Sequence, residues 1–228
     1  MRLSKFISIS LILLSLFGCK KKEVEKVDKF QFEKDVINNI FVEIVDSIYM
    51  DRRIIIPPPP PPIFDSKTNK VDSLEYYKEL KEYWHERDSI KKDTAKILIG
   101  VNDFIENISE FDTLQLNKSC KNLQIVYDKS KEVENFKFDL TPFKNNKKFD
   151  FQYLLKYPKV NLWNYNDYSV PVGAITISRI QFNKTKTRGI MPASASCGGG
   201  KCGRGFEITI ENKSGKWHIT NINQTWVS

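Results

Sequence analysis

The sequence predicts a mixed α+β fold in which N-terminal amphipathic helices pack with a C-terminal antiparallel β-meander. In the first half of the chain, apolar residues recur at three- and four-residue steps, which is the spacing of a helix with one buried face. Near the C-terminus, apolar and polar residues alternate on both sides of a glycine-containing turn. This second pattern is typical of paired antiparallel strands.

The first predicted helix begins near Phe30. Its apolar stripe consists of Val36, Ile37, Ile40, Phe41, Ile44, Val45 and Ile48. A stripe of this width needs a partner surface. We therefore expect this helix to belong to the hydrophobic core.

Six consecutive prolines occupy positions 57–62, after the first helix. Proline lacks a backbone N–H and fixes φ, so the run ends any helix and favours polyproline II. We predict a stiff strap between two helices. The alternative is a ligand segment that docks into an aromatic groove on a partner.

A second helical stripe runs from position 71 to position 90, with Asp72 or Ser73 as its N-cap. Residues 96–101 form a short apolar run that predicts a strand, followed by a helix or turn around residues 104–108. Residues 123–127 predict a further strand.

The C-terminal part carries the repeated strand signals. Residues 172–182 and 190–197 predict two strands, and residues 206–211 alternate clearly. The segment Asn212-Lys213-Ser214-Gly215 predicts a hairpin turn because its glycine accepts the left-handed conformation. Residues 217–226 then predict the partner strand.

The chain opens with a targeting pattern. Arg2 and Lys5 precede an uncharged apolar run over residues 6–17. The run is shorter than the roughly 20 residues that span a bilayer, but it suits the apolar region of a signal peptide.

The segment Leu16-Phe17-Gly18-Cys19 resembles the lipobox of bacterial lipoprotein precursors. The resemblance implies that residues 1–18 are a signal peptide that is removed. It also implies that Cys19 becomes the first mature residue, carrying a diacylglyceryl group on its sulfur and an acyl chain such as palmitate on its amino group.

This resemblance sets the predicted organisation of the chain. Residues 19–29 are expected to be a charged tether and residues 30–228 a single α+β domain. Within that domain the helical part covers about 30–110, and the β part about 120–228. The protein is then expected to be exported and held at a membrane through acylated Cys19, in the periplasm or at the cell surface.

The predicted function is that of a cell-envelope lipoprotein with a partner-binding or structural role. Its partner would be an envelope protein or a glycan. One alternative is an envelope hydrolase that acts on glycans or peptides, with carboxylates that the sequence does not locate. Another is a protective lipoprotein that blocks a secreted toxin or hydrolase.

Charge argues against nucleic acid as a partner. The chain has 36 Lys and Arg against 28 Asp and Glu, a net charge of +8. Loss of Arg2 and Lys5 with the leader lowers this by two, to +6. Because the basic residues are interspersed with acidic ones, they do not form the clustered basic face that nucleic-acid binding needs.

Three cysteines remain once Cys19 is used as the lipid attachment site. An exported protein lies in a compartment that permits disulfides. Cys197 and Cys202 flank a glycine-rich loop, so we predict a disulfide between them, with Cys120 as a buried thiol. The alternative is a bond between Cys120 and one of the other two.

Several familiar motifs are incomplete, so we predict no cofactor, no metal site and no assigned catalytic residue. In the glycine-rich loop Lys201 is followed by Cys202, whereas a phosphate-binding loop needs Ser or Thr there. His85 and Glu86 would begin a zinc-protease motif, but position 89 is serine rather than histidine.

A short pattern of Asp, then Ser or Thr, then an apolar residue occurs five times, at Asp46-Ser47-Ile48, Asp72-Ser73-Leu74, Asp88-Ser89-Ile90, Asp93-Thr94-Ala95 and Asp112-Thr113-Leu114. It resembles the acceptor of a periplasmic O-glycosylation system in some Gram-negative bacteria. The resemblance implies candidate acceptors at Ser73, Ser89, Thr94 and Thr113. Ser47, beside the apolar stripe of the first helix, is expected to be buried and therefore a poor acceptor. The alternative is that Asp and Ser simply collect at helix ends.

Overall fold

A computed structural model describes residues 28–51, 61–62, 64, 68, 70, 73–93, 95–157, 171–197 and 202–228. Within these residues the helices are α1 (Gln31–Ile48), α2 (Ser73–Lys92) and α3 (Glu110–Asn122). The strands are β1 (Ile97–Val101), β2 (Phe104–Ile105), β3 (Phe136–Lys137), β4 (Phe149–Tyr153), β5 (Gly173–Ile177), β6 (Gln181–Phe182), β7 (Arg188–Ser196), β8 (Gly203–Lys213) and β9 (Lys216–Val227). The predicted mixed α+β class is confirmed.

The chain divides into two compact units, Met1–Gln31 and Phe32–Ser228. In the first unit, the Asp28 carboxylate accepts a hydrogen bond of 2.9 Å from the Phe30 backbone N–H. The sheet and the sites described below belong to the second unit.

Seven strands form one sheet in the order β4-β1-β5-β7-β8-β9, with β6 paired to β7. β1 runs parallel to both of its neighbours, β4 and β5. The other pairs in this sheet are antiparallel. The strands β7, β8 and β9 are the predicted C-terminal meander.

The turn between β8 and β9 has the conformation that the sequence predicts. Ser214 and Gly215 both have positive φ, at 54° and 85°, as a two-residue type I′ turn requires. The Asn212 side chain accepts a 2.9 Å hydrogen bond from the Gly215 N–H. The local sequence therefore fixes the register of this hairpin.

The predicted apolar stripe of helix α1 is fully buried, and its Phe41 contacts one face of β4. The Phe41 ring lies 4.6 Å from Phe143 and 4.9 Å from Phe151, between ring centroids. Tyr49 packs edge-on against Phe149 at 5.3 Å. Because burying one such aromatic side chain contributes roughly 1.5–3 kcal/mol, this face holds much of the core.

Helix α3 lies on the opposite face of the sheet. It begins at the Ser109 N-cap, whose hydroxyl accepts a 3.1 Å hydrogen bond from the Asp112 N–H. Its buried residues Leu116 and Cys120 pack with Ile190 of β7 in one apolar cluster.

The assignment of faces follows from the register. Pairing across β1 and β5 connects Phe151 to Ala195 on a common face. Ile190 is an odd number of residues away from Ala195 on β7, so its side chain points to the other side. The contact of Phe41 with Phe151 and the contact of α3 with Ile190 therefore lie on opposite faces of the sheet.

Two predictions around α3 were wrong. Residues 104–105 form a strand, and the helix begins later, at Glu110. Residues 123–127 form no strand. Gln124 has a left-handed backbone (φ 57°), and Leu123, Ile125 and Tyr127 pack in the apolar cluster beneath α3. The apolar alternation is real, but its cause is contact with the core and not pairing with another strand.

The other helical predictions have mixed outcomes. β1 and α2 form where predicted. The apolar residues of α2 are largely exposed, including Leu74, Tyr77 and Trp84. Most of the proline run lies outside the described residues, so the strap stays a prediction. Among the described residues, no helix has the length and apolarity needed to cross a bilayer.

Candidate functional site

A cleft of about 390 Å³ lies between α3 and the strands β8 and β9. Its lining residues are polar or charged, and they include Lys118, Ser119, Asn122, Glu207, Asn223 and Thr225. Helix α3 forms one wall because its apolar side is fixed on Ile190. Its polar side is thereby turned toward the hairpin.

Glu207 is the buried charge of this cleft, with 8% of its surface exposed. The Ser119 hydroxyl donates a hydrogen bond of 2.9 Å to its Oε1 atom. Among the described residues, no hydrogen bond reaches Oε2. This oxygen is therefore open to accept a hydrogen bond from a ligand group, and hydrogen bonds to a carboxylate are among the stronger ones.

Cys120 lies one residue from Ser119 but belongs to the core. It is a buried free thiol packed in the apolar cluster beneath α3. Burial, and to a lesser extent the nearby Glu207 charge, raises its pKa from 9.0 to about 11. The thiol is therefore neutral at physiological pH and is not activated as a nucleophile.

A β-bulge in β9 shapes the end of the cleft. Gly205 pairs with Trp226 and Glu207 pairs with Asn223, so Thr225 is an extra residue in β9. Because Gly205 and Glu207 lie two apart on β8, their partners also share one face. The bulge thus places Trp226 on the same side of the hairpin as Glu207 and Asn223.

The Trp226 indole lies flat on β8. An added Cβ at Gly205 would overlap its pyrrole ring, and one at Gly203 would lie 3.1 Å from Cζ3. The two glycines therefore leave the space that the indole occupies. Trp226 is half-buried, and it directly follows Thr225, which lines the cleft.

A second charged cluster lies elsewhere in the fold, around Glu33 of α1. Arg179 donates from Nε to Oε1 at 3.1 Å and from Nη2 to Oε2 at 2.9 Å. Lys131 donates to Oε2 at 2.7 Å, and the Ile180 N–H donates to Oε1 at 2.6 Å. Both carboxylate oxygens are thus engaged by protein donors.

The Arg179 guanidinium has further contacts besides Glu33. Arg179 Nη1 donates to the Glu134 carbonyl at 2.7 Å, and its guanidinium lies 5.4 Å from the centre of the Phe136 ring. Because Glu33 and Arg179 are buried and their charges are matched, we interpret this cluster as structural, holding α1 to the segment after β5.

The predicted lipid attachment site, Cys19, lies outside the described residues. Cys197 and Cys202 are brought together at the β7–β8 loop, with Cα atoms 5.6 Å apart, a separation that suits a disulfide. The Cys197 N–H also donates to the Cys202 carbonyl at 3.1 Å.

The candidate glycosylation acceptors are spread over the chain and do not converge. Ser73 and Ser89 are exposed on α2, whereas Thr94 lies outside the described residues. The Thr113 hydroxyl donates to the Ser109 carbonyl at 2.9 Å and lies 3.0 Å from the Tyr127 hydroxyl. Ser47 is exposed, contrary to expectation, although its hydroxyl donates to the Glu43 carbonyl.

Sequence reasoning did not identify the cleft. Glu207 looked like one of the polar positions in an alternating strand, and Trp226 like the end of the next strand. The pair of glycines at 203 and 205 ahead of that strand was the available signal for close approach of a large side chain. The part of the chain that the structure describes has no group of three or more His, Cys, Asp or Glu placed to hold a metal ion.

The chain was also compared with known proteins. No family model, no curated protein and no solved structure matches it.

Proposed function

We propose that this chain is a lipid-anchored cell-envelope protein that binds an envelope protein or glycan through the cleft between α3 and β9. The observation that carries the proposal is the buried Glu207 carboxylate, which has one oxygen uncommitted among the described residues. It lies in an open cleft with polar walls. Convergent polar groups in a concave surface are typical of ligand sites.

The tether is proposed from the N-terminal sequence. Cleavage before Cys19 and its acylation would leave residues 19–29 as a charged stalk below the folded body. Each buried methylene contributes about 0.8 kcal/mol, so two or more acyl chains hold a protein firmly at a bilayer. The body would then act in the periplasm or at the cell surface.

The number of acidic groups in the cleft favours a binding role over hydrolysis of glycans. Glycoside hydrolases generally use a pair of carboxylates that flank the scissile bond. Of the described residues that line the cleft, Glu207 alone carries a carboxylate. A single acid with a hydroxyl partner suits recognition better than this two-carboxylate chemistry.

We infer two further features of the exported body. Cys197 and Cys202 form a disulfide that closes the loop between β7 and β8, as an oxidising compartment permits. The N-terminal helices pack with the C-terminal meander, an arrangement favoured by the ring contact of Phe32 in α1 with Trp217 in β9, whose centroids are 6.3 Å apart.

The test is sedimentation of the full-length protein, in detergent micelles, with envelope fragments from the producing cell. Glu207→Gln keeps the shape of the side chain and an acceptor for Ser119 but removes the charge. We expect this variant to bind at least tenfold more weakly, because a charged hydrogen bond contributes about 1.5–3 kcal/mol.

Glu211→Gln is the matched control for this experiment. Glu211 lies on the same strand and pairs with Arg188 at 3.0 Å, away from the cleft lining. It should bind like the unaltered protein. Absence of binding by the unaltered protein, or equal binding by both variants, would contradict the proposal.

A further inference from the structure

The amide groups of the cleft are free to meet a ligand. Gln115, Asn122 and Asn223 line it, and no side-chain hydrogen bond between described residues engages their amides. Each amide offers both a donor and an acceptor. A hydroxyl group likewise both donates and accepts hydrogen bonds, so these amides suit a ligand with hydroxyl groups.

The charges of the cleft select against strongly charged ligands. Among the described lining residues, Lys118 and Glu207 carry opposite formal charges that cancel. A polyanion would meet the Glu207 carboxylate, and a strongly basic peptide would meet the Lys118 ammonium. A neutral ligand rich in hydroxyl groups avoids both repulsions.

Trp226 supplies the apolar element of the same surface. Its indole rests on the backbone at Gly205, two residues from Glu207 on β8, and the residue as a whole is half-buried. The face of an aromatic ring carries partial negative charge. It attracts the slightly positive C–H bonds that cover one face of a sugar ring.

We propose that this surface is a saccharide-binding site. A sugar ring stacks on Trp226, while its hydroxyls donate to Glu207 Oε2 and exchange hydrogen bonds with Asn122 and Asn223. The inference rests on the proposed function and narrows its partner to a neutral glycan of the envelope.

The experiment uses the same full-length protein in detergent micelles and three preparations of envelope fragments. One is untreated, one is treated with periodate, which cleaves the vicinal diols of sugars, and one is digested with a protease. Each reagent is removed before the protein is added. We expect periodate to weaken binding at least tenfold and the protease to leave it unchanged.

Variants tie the binding to these side chains. Trp226→Ala should weaken binding at least tenfold, and Trp226→Phe, which keeps a ring, by less. Asn122 is exposed on α3, so Asn122→Ala leaves the core intact and should weaken binding about fivefold. Trp84→Ala, on the exposed side of α2, is the control and should bind normally.

The outcomes separate this inference from the proposed function. Binding that is lost with Glu207→Gln and with protease, but survives periodate, would point to a protein partner and overturn the saccharide assignment alone. Normal binding by both Trp226→Ala and Asn122→Ala would overturn it as well. Absence of binding by the unaltered protein would overturn both.

Discussion

The carboxylate of Glu33 and the guanidinium of Arg179 form a two-point ion pair in the interior, although 146 residues separate them in sequence. Each is less than 5% exposed. The pair joins α1 to the segment between β5 and β6. It therefore couples the N-terminal helix to the C-terminal half of the fold.

Removing one partner of this pair should be costly. Glu33→Gln removes the buried carboxylate charge that both Arg179 and Lys131 contact. Loss of a partner from a buried pair costs about 3–5 kcal/mol. We expect a decrease of this size in the free energy of unfolding, measured by urea denaturation.

Asp46→Asn is the control for that measurement. Asp46 pairs with Lys148 at the surface, where both side chains are about half exposed. Exposed pairs contribute about 0–1 kcal/mol. If the Glu33 variant were destabilised no more than the Asp46 variant, the cluster would not hold the two halves together.

The sequence predicted those elements that depend on residues close together in the chain. The α1 stripe and the β8–β9 turn depend on residues close in sequence, and both were predicted. β4 was missed although Phe149, Phe151 and Tyr153 alternate with polar residues, because its parallel partner β1 lies some fifty residues earlier. α3 was placed too early in the chain because it buries only Leu116 and Cys120, which are too few apolar residues to give a clear helical periodicity.

The candidate site was less predictable than the fold. The bulge at Thr225 changes which side of β9 faces the cleft, and no strict alternation of residues encodes such a shift. The burial of Glu207 depends on α3, a helix that the sequence analysis placed incorrectly. The Glu33–Arg179 pair joins residues too distant for any spacing rule.

Cys120 should make the stability pH-dependent at alkaline pH. Its pKa is raised from 9.0 to about 11 in the folded state. The neutral thiol therefore stabilises the fold fully below pH 9, and this contribution is lost as the pH rises toward 11. Between pH 8 and about 10.5 the unaltered protein should lose about 2 kcal/mol more than Cys120→Ala, measured by denaturation. Parallel losses in both proteins would contradict the assignment.

The thiols should differ in reactivity with an alkylating reagent. In the native protein Cys120 should remain unmodified because it is buried. Denaturation without reduction should expose that thiol, and reduction should add Cys197 and Cys202. Mass spectrometry of the peptides checks this order. Alkylation of Cys197 or Cys202 before reduction would show that they are not bonded.

Gly205→Ala tests the packing of the Trp226 indole against β8. The new methyl group would overlap the Trp226 ring, and overpacking of this kind costs about 1–3 kcal/mol. The double variant Gly205→Ala with Trp226→Ala removes the clash, so its loss of stability should be smaller than the sum of the two single losses. Additive losses in thermal or urea denaturation would contradict the stacked arrangement.

The intact mass of the native protein, isolated from the membrane fraction, shows whether it is a lipid-anchored envelope protein. We expect a chain that begins at Cys19 and carries acyl groups, and a Cys19→Ser variant that lacks them. A mass that retains residues 1–18 with an unmodified Cys19 would show that the protein is not anchored in this way.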